Sequence, residues 1–374
     1  MEYILLKDIA VITMGQSPDS STYNQEKQGL PFYQGNADFG EIIPTTRIWC
    51  NSPKKVAKQN DILISVRAPI GSLNYANEVC CIGRGLAAIS IEDDIDRKFI
   101  YYFLKAKNRE LNNQGTGSTF KAIGKSVLEE LKIPTISKEK KLNSMKLMDS
   151  VERNIKLKKQ ELKMLDDLIK ARFVEMFGDM TLNQNGWTET FLGEVCDVRD
   201  GTHDSPKYFD EGYPLVTSKN LNEGRINFKD CSLICEDDYN KINQRSKVDK
   251  GDILMPMIGT IGNPAIVDIE TNFAIKNVAL IKFKDNNKVC NSFVKALLKS
   301  DYFDKTVASK VKGGTQKFIS LNDIRKLEIC LPPINLQNQF ADFVKQVDKS
   351  KLAVQHSLEK TQQLFDSLMQ EYFG

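Results

Sequence analysis

The side chains best suited to metal, nucleophilic or proton-transfer chemistry are few in this sequence, eight cysteines and two histidines. Cys231 and Cys235 are spaced like half of a zinc site, but no second pair or nearby histidine completes it. Two thiols flanking a buried strand explain that spacing without a metal. Cys80 and Cys81 point to opposite faces if they lie on a strand, so they do not form a ligand pair. His203 and His356 leave little room for general-base catalysis, and His356 falls in a helical stretch where a surface position suits it. Gly313-Gly314-Thr315 is too short to cradle phosphates, and no Gly-rich loop ends in Gly-Lys-Ser/Thr. Asn51-Ser-Pro-Lys and Gly262-Asn-Pro-Ala come nearest to the Asn/Asp-Pro-Pro-aromatic motif of amino-methyltransferases, and neither fits it. Glu161-Leu-Lys163 looks like the tail of a nuclease carboxylate-lysine motif, yet it sits in a helical stretch far from any loop. This residue inventory points to binding rather than catalysis.

The elements that position the remaining polar residues are written twice. Leu6-Lys-Asp-Ile-Ala-Val-Ile-Thr-Met-Gly15 has its apolar residues and glycine where Leu192-Gly-Glu-Val-Cys-Asp-Val-Arg-Asp-Gly201 has them. Gly29-Leu-Pro-Phe-Tyr matches Gly212-Tyr-Pro-Leu-Val, and Asn60-Asp-Ile-Leu matches Gly251-Asp-Ile-Leu. Ile70-Gly71 matches Ile261-Gly262, the run Phe99 to Lys105 matches Phe293 to Lys299, and Phe177-Gly178 matches Phe373-Gly374. The order never changes, and the separations drift only between about 183 and about 198 residues. The chain is a tandem duplication.

Each copy begins with short runs rich in Val, Ile and Phe, punctuated by Gly, Pro and Asn, with a helical stretch at 97–112 or 291–305. That pattern predicts an α+β domain. A stretch without interior proline or glycine follows and reads as one long helix. The predicted organisation is a first domain over 1–136, a helix over 137–178, a second domain over 179–334 and a helix over 335–374. In the first helix Met148, Val151, Ile155, Lys158, Leu162, Leu165, Ile169, Arg172 and Met176 alternate spacings of three and four. Val344, Val347, Lys351, Val354, Leu358, Thr361, Phe365, Leu368 and Tyr372 repeat that pattern 196 residues later. This is a heptad seam of about four heptads, interrupted by Lys158, Arg172, Lys351 and Thr361. A helix of about 35 residues is roughly 50 Å long, and an apolar stripe on one side of it needs a partner. Val151, Ile155, Leu162, Leu165 and Ile169 are expected to pair with Val347, Val354, Leu358, Phe365 and Leu368.

At 374 residues and 41% hydrophobic content, the chain can build two proper cores. A net charge of +3 attracts nucleic acid only if the basic groups are concentrated on one face. The first helix is one such concentration, from Lys138 through Arg153, Lys159 and Lys170 to Arg172. It reads either as a solvated face or as a docking surface for DNA phosphates or an acidic partner. The opening Met1-Glu-Tyr-Ile-Leu-Leu-Lys has no signal-peptide character, and no run of about eighteen apolar residues exists. A cytoplasmic protein with reduced thiols and no membrane contact is expected.

Taken together, the motifs resemble the specificity subunit of type I restriction-modification systems across the whole chain. They are the opening segments ending at Gly15 and Gly201, the Asp61-Ile-Leu and Gly251-Asp-Ile-Leu runs, and the exits Leu128-Glu-Glu-Leu-Lys-Ile-Pro134 and Ile324-Arg-Lys-Leu-Glu-Ile-Cys-Leu-Pro332-Pro333. Family members often continue as Pro-Pro-Leu-x-Glu-Gln. Pro333-Ile-Asn-Leu-Gln337-Asn-Gln339 is close to that, and the first copy is degenerate at Thr135-Ile-Ser-Lys-Glu139. The resemblance implies two target recognition domains, each reading half of a split, asymmetric double-stranded DNA sequence, with the two helices pairing antiparallel as a spacer. It implies two methyltransferase subunits docked on the helices and a separate motor-nuclease subunit. S-adenosylmethionine, ATP and Mg belong to those partners, with no cofactor or catalytic residue in this chain. The competing reading is a coiled-coil scaffold that does not touch DNA.

Under that resemblance, DNA contacts belong on loops, where Arg, Lys, Asn and Gln reach base edges and phosphates. The first domain offers Gln16, Ser17, Tyr23, Gln34, Asn36, Arg67 and Arg84. The second offers Thr202, His203, Lys207, Ser218, Lys219, Asn220 and Asn277. A segment of small residues before each exit adds Thr119 and Lys121, matched by Thr315 and Lys317, where backbone N–H groups and lysine suit phosphate. For any single one of these residues an ordinary turn or surface role competes with DNA contact.

Overall fold

The computed structural model describes residues 2–116, 121–222, 224–258, 261–283, 288–310 and 318–374. Its contacts divide the chain into two compact units, Met1–Lys159 with His356–Gly374, and Gln160–Gln355. This division crosses the linear domains 1–136, 137–178, 179–334 and 335–374. The two long helices, Lys138–Phe177 and Ile334–Phe373, each give one part to each unit.

The duplication is carried in the topology. In the first unit Tyr3–Leu5 pairs antiparallel with Lys132–Pro134, and in the second Thr188–Phe191 pairs antiparallel with Glu328–Leu331. Each exit motif supplies one strand of this two-stranded clasp, and each opening motif starts where the other strand ends, as a helical turn, Leu6–Ile9 or Leu192–Val195, followed by a strand, Val11–Met14 or Asp197–Asp200. A four-stranded antiparallel sheet follows in the order Val11–Met14, Leu86–Ser90, Ile62–Ser65, Leu73–Tyr75. Its counterpart runs Asp197–Asp200, Val278–Lys282, Ile253–Pro256, Ala265–Ile266. Ile62 and Ile64 enter one core and Leu63 another, so the strand is apolar on both faces. The repeated aspartate before it caps the turn: Asp61 accepts the Lys58 N–H at 2.8 Å, and Asp252 the Asp249 N–H at 2.8 Å.

The units diverge in their remaining strands. The first has a five-stranded sheet. The second has a three-stranded sheet, a short hairpin and a helix, Glu236–Ser246. Each sheet keeps one parallel pair, Leu30–Tyr33 with Cys80–Ile82 and Tyr213–Val216 with Ala274–Ile275. The helical stretch expected at 97–112 is two helices, Asp94–Ala106 and Asn108–Gln114, broken at Lys107. The stretch expected at 291–305 is likewise Asn291–Leu297 and Asp301–Lys310.

Within each unit the long-helix segments run antiparallel and join the core. In the first, Met145, Met148, Val151 and Ile155 share a cluster with Phe365, Leu368, Met369 and Phe373. In the second, Phe173 and Phe177 cluster with Phe340, and Ile169, Met176 and Val344 pack against them. The polar interruptions have partners. Lys158 Nζ donates to Ser357 Oγ at 2.8 Å, Lys351 Nζ pairs with Asp166 at 2.7 Å, and the Arg172 guanidinium lies over the Phe343 ring. Leu162, Leu165, Val354 and Leu358 are half-buried, and Val347 is buried.

The repeated Phe-Gly ends follow from packing. Phe177 meets Phe293 and Phe340 edge-on at 5.1 and 5.4 Å, and Phe373 meets Phe99 at 5.1 Å. The exits lock differently. Gln337 is fully buried, accepts the Cys290 N–H at 2.8 Å and donates to the Pro332 carbonyl at 2.7 Å. The first copy has Lys141 at that register, bonded to Asp96 at 2.6 Å, which is how a degenerate motif still seats its helix.

Truncating Phe340, at the centre of the second unit's ring cluster, is expected to cost about 3–5 kcal/mol. Denaturant unfolding of the full chain carrying Phe340→Ala checks this, and an unchanged midpoint would contradict the anchoring role of the rings.

Candidate nucleic-acid interface

In each unit, main-chain hydrogen bonds stitch the ends of several loops into one frame. In the first, Gly15 N–H donates to the Leu86 carbonyl at 2.9 Å and Gln16 N–H to Ile82 at 3.0 Å. Gly85 N–H donates to Gln34, Val66 N–H to Gly85 and Ile123 N–H to Val66. In the second, Gly201 N–H donates to Val278 at 3.1 Å, Thr202 N–H to Ile275, Lys276 N–H to Val216 and Ile319 N–H to Met257. The glycine ending each opening motif is required by close approach. A Cβ at Gly15 would lie 2.1 Å from the Gly83 carbonyl oxygen, and one at Gly201 would lie 2.2 Å from that of Ile275.

On the first frame Gln16, Ser17, Gln34 and Arg84 come together. Gln34 Nε2 donates to Ser17 Oγ at 3.1 Å, and the Arg84 N–H approaches the same oxygen at 3.3 Å. Gln16, Gln34 and Arg84 are exposed. Arg67 and Lys121, also exposed, meet on the neighbouring loops, where Ala68 N–H donates to the Lys121 carbonyl at 3.1 Å. Asn36 opens a short turn capped by Asp38 and is half-buried. Tyr23 stacks on Phe32 at 4.7 Å and donates its hydroxyl to the Pro18 carbonyl, so its polar end is engaged within the fold.

On the second frame Thr202, His203, Ser218 and Asn277 converge. Asn277 N–H donates to the Thr202 carbonyl at 3.1 Å, and Ser218 Oγ approaches the Asn277 carbonyl at 3.5 Å. His203 Nδ1 lies 2.7 Å from Asn277 Oδ1 and Nε2 lies 2.8 Å from Asp200 Oδ2. Asp200 is buried, and its other oxygen pairs with Arg245. Lys207 and Lys219 are exposed. Asn220 is buried, and its amide is spent on Thr217 and the Asn227 carbonyl. Thr119, Thr315 and Lys317 lie outside the described residues.

Two residues of the second frame escaped the sequence reading. Lys276 follows the parallel strand as Gly83 does in the first unit, its N–H donating to Val216 as that of Gly83 donates to Tyr33, and it hydrogen-bonds Ser205 Oγ at 2.6 Å; a glycine at the matching place gave no sign of a side chain there. Arg245 lies on the helix Glu236–Ser246, which has no counterpart among the described residues of the first unit and so gave no repeat signal.

The cysteines occupy other surroundings. Cys80 and Cys81 enter different clusters. Burial pushes the Cys80 and Cys196 thiols up to about 12 and Cys81 up to about 11, which removes them as nucleophiles. Cys231 and Cys235 flank the strand Ser232–Ile234. Among the described residues no group of three His, Cys, Asp or Glu side chains is placed to hold a metal ion. No described helix is long and apolar enough to cross a membrane.

The hydrogen bonds to Asn277 and then to Asp200 raise the His203 imidazole above its ordinary value of 6.5, against partial burial and the repulsion of Arg245. A raised folded value means that the charged ring's contribution to stability is complete below about 6.5 and is lost as pH rises through the folded value. NMR titration of His203 should give a midpoint above that of an unperturbed histidine, and Asp200→Asn should lower it. An ordinary midpoint in the unmodified chain would contradict the network.

The family model described as the type I restriction modification DNA specificity domain matches residues 1–166 and again 184–363. The MjaX specificity subunit of a type I restriction enzyme from Methanocaldococcus jannaschii is 43% identical over 156 residues, a match spanning 41% of this chain and 37% of that relative. The MjaVIII specificity subunit from the same organism is 22% identical over 373 residues, covering 93% of this chain and 86% of its own. The crystal structure of a type I restriction-modification S subunit from M. genitalium shares the fold with a TM-score of 0.57 at 17% identity, over 100% of this chain and 96% of that one.

Proposed function

The chain belongs to the type I restriction-modification DNA specificity family, and from that premise we propose that it is a DNA-reading subunit without catalytic activity of its own. Its two loop frames each read one half of a bipartite, asymmetric target in double-stranded DNA. The observation that carries this reading is a recurring frame with diverged side chains. The same main-chain ladder presents Gln16, Ser17, Gln34, Arg67 and Arg84 in one unit and Thr202, His203, Ser218, Lys276 and Asn277 in the other. A repeated frame suits two copies of one partner, and different side chains suit two different half-sites.

The long helices act as spacer and as the docking site for two methyltransferase subunits. In the second unit's part of the first long helix, Met164 and Leu168 lie four residues apart and are 69% and 45% exposed, an apolar pair separate from the paired seam. Part of the basic run on this helix is already neutralised, Lys138 by Asp93, Lys141 by Asp96 and Lys156 by Glu41, which favours protein docking over phosphate binding there. A motor-nuclease subunit completes the restriction complex. S-adenosylmethionine, ATP and Mg act in the partner subunits, and the assembly works in the cytoplasm.

Titration of random-sequence duplex DNA, with and without the methyltransferase partner, tests this reading through sequence-selective, salt-sensitive binding. Arg84→Ala and Lys276→Ala should each weaken binding roughly tenfold, and a lost phosphate contact lowers the salt slope by about one. Binding that is absent, or indifferent to both substitutions and to salt, would contradict the proposal and favour a coiled-coil scaffold.

A further inference from the structure

The second frame contains a proton-dependent element that the first lacks. The opening motif places Ser17 at the register of His203, and there an uncharged Gln34 amide donates to Ser17 Oγ. In the second unit both ring nitrogens of His203 face oxygen atoms, Asn277 Oδ1 and Asp200 Oδ2. Two acceptors call for two N–H groups, and therefore for an imidazolium. The charged groups around the ring are Asp200 beneath it and Arg245, which pairs with the other Asp200 oxygen from the helix Glu236–Ser246. The same loops carry Asp204, next in the chain, and Lys276, which is tied to Ser205.

Asn277 is pinned by its backbone. It sits at φ +54°, donates its N–H to Thr202 and receives Ser218 at its carbonyl. Its side-chain amide keeps one choice, which end faces the ring.

We propose that His203 is a positioning residue that sets which end of the Asn277 amide is offered to DNA. The charged ring holds the carbonyl oxygen and leaves the NH2 outward, and the neutral ring takes the NH2 and leaves the carbonyl outward. The exchange involves one proton. Nδ1 releases it to solvent, Nε2 keeps its own on Asp200, and the freed Nδ1 lone pair accepts from Asn277 Nδ2. An outward NH2 pairs with base acceptors, the N7 of a purine, the O6 of guanine or the O4 of thymine. An outward carbonyl pairs with the amino group of cytosine or adenine. The half-site read by the second unit is therefore pH-dependent at one position, and the first half-site is not. This inference rests on the reading of the loop frames as DNA readers.

The test is selection of bound duplexes from a random-sequence library by the full chain at about pH 6 and about pH 9, on either side of histidine titration. The first half of the enriched motif should be the same at both. One position of the second half should shift its preference roughly tenfold, from a base presenting an acceptor to one presenting an amino group. His203→Ala should abolish the shift. Asn277→Asp, an acceptor at both oxygens, should give the high-pH preference at both pH values. A second-half motif that does not change with pH, or a shift that persists in His203→Ala, overturns the inference alone. No enriched motif at either pH overturns the DNA reading and the inference with it.

Discussion

Burial of the apolar seam of each long helix is the constraint on which the rest of the structure depends. A helix with Val151, Ile155, Leu162, Leu165 and Ile169 on one side cannot cover that stripe by itself. The seam is closed segment by segment within each unit, the start of one helix against the end of the other. The aromatic ends seal it, Phe373 on Phe99 and Phe177 on Phe293. Because both partners come from one chain, the duplication supplies the second helix as well as the second domain. The polar seam positions fit the same scheme. Lys158 donates to the Ser357 hydroxyl and Lys351 pairs with the Asp166 carboxylate, so each breaks the apolar run with a hydrogen-bond partner for its ammonium.

The loop frames show how one fold accommodates two different sets of exposed side chains. Their geometry is set by main-chain hydrogen bonds and by the glycines at positions 15 and 201, where a carbonyl oxygen leaves no room for a Cβ. Side chains on such a frame can change without disturbing the ladder. Gly83 and Lys276 stand at one place on the ladder and Ser17 and His203 at another, and the side chains differ at both. The buried Asp200, held by Arg245 and His203, belongs to the second frame only.

Features that recur at long range were legible in the sequence. The strand at Asp61-Ile-Leu and Gly251-Asp-Ile-Leu and the long helices follow from in-register repeats and heptad spacing, and the pairing of the exit strands into clasps does not. Features without a repeat were not. Arg245 reaches Asp200 from a helix that, among the described residues, one copy alone contains. Asn220 has the composition of a base reader, but local turn chemistry draws its amide inward. Tyr23 is held by stacking and a carbonyl, which depend on strand register rather than on residue type. The break at Lys107 lies within an otherwise helical pattern, and no proline or glycine marks it.

The central claim, that each unit reads its own half of the DNA target, is tested most directly by exchange. Residues 1–136 are replaced by the matching domain of a relative, and the methylated positions are mapped genome-wide in cells carrying the assembled complex. The account predicts that one half of the modified sequence changes and the other is retained. A target that changed in both halves, or in neither, would contradict it.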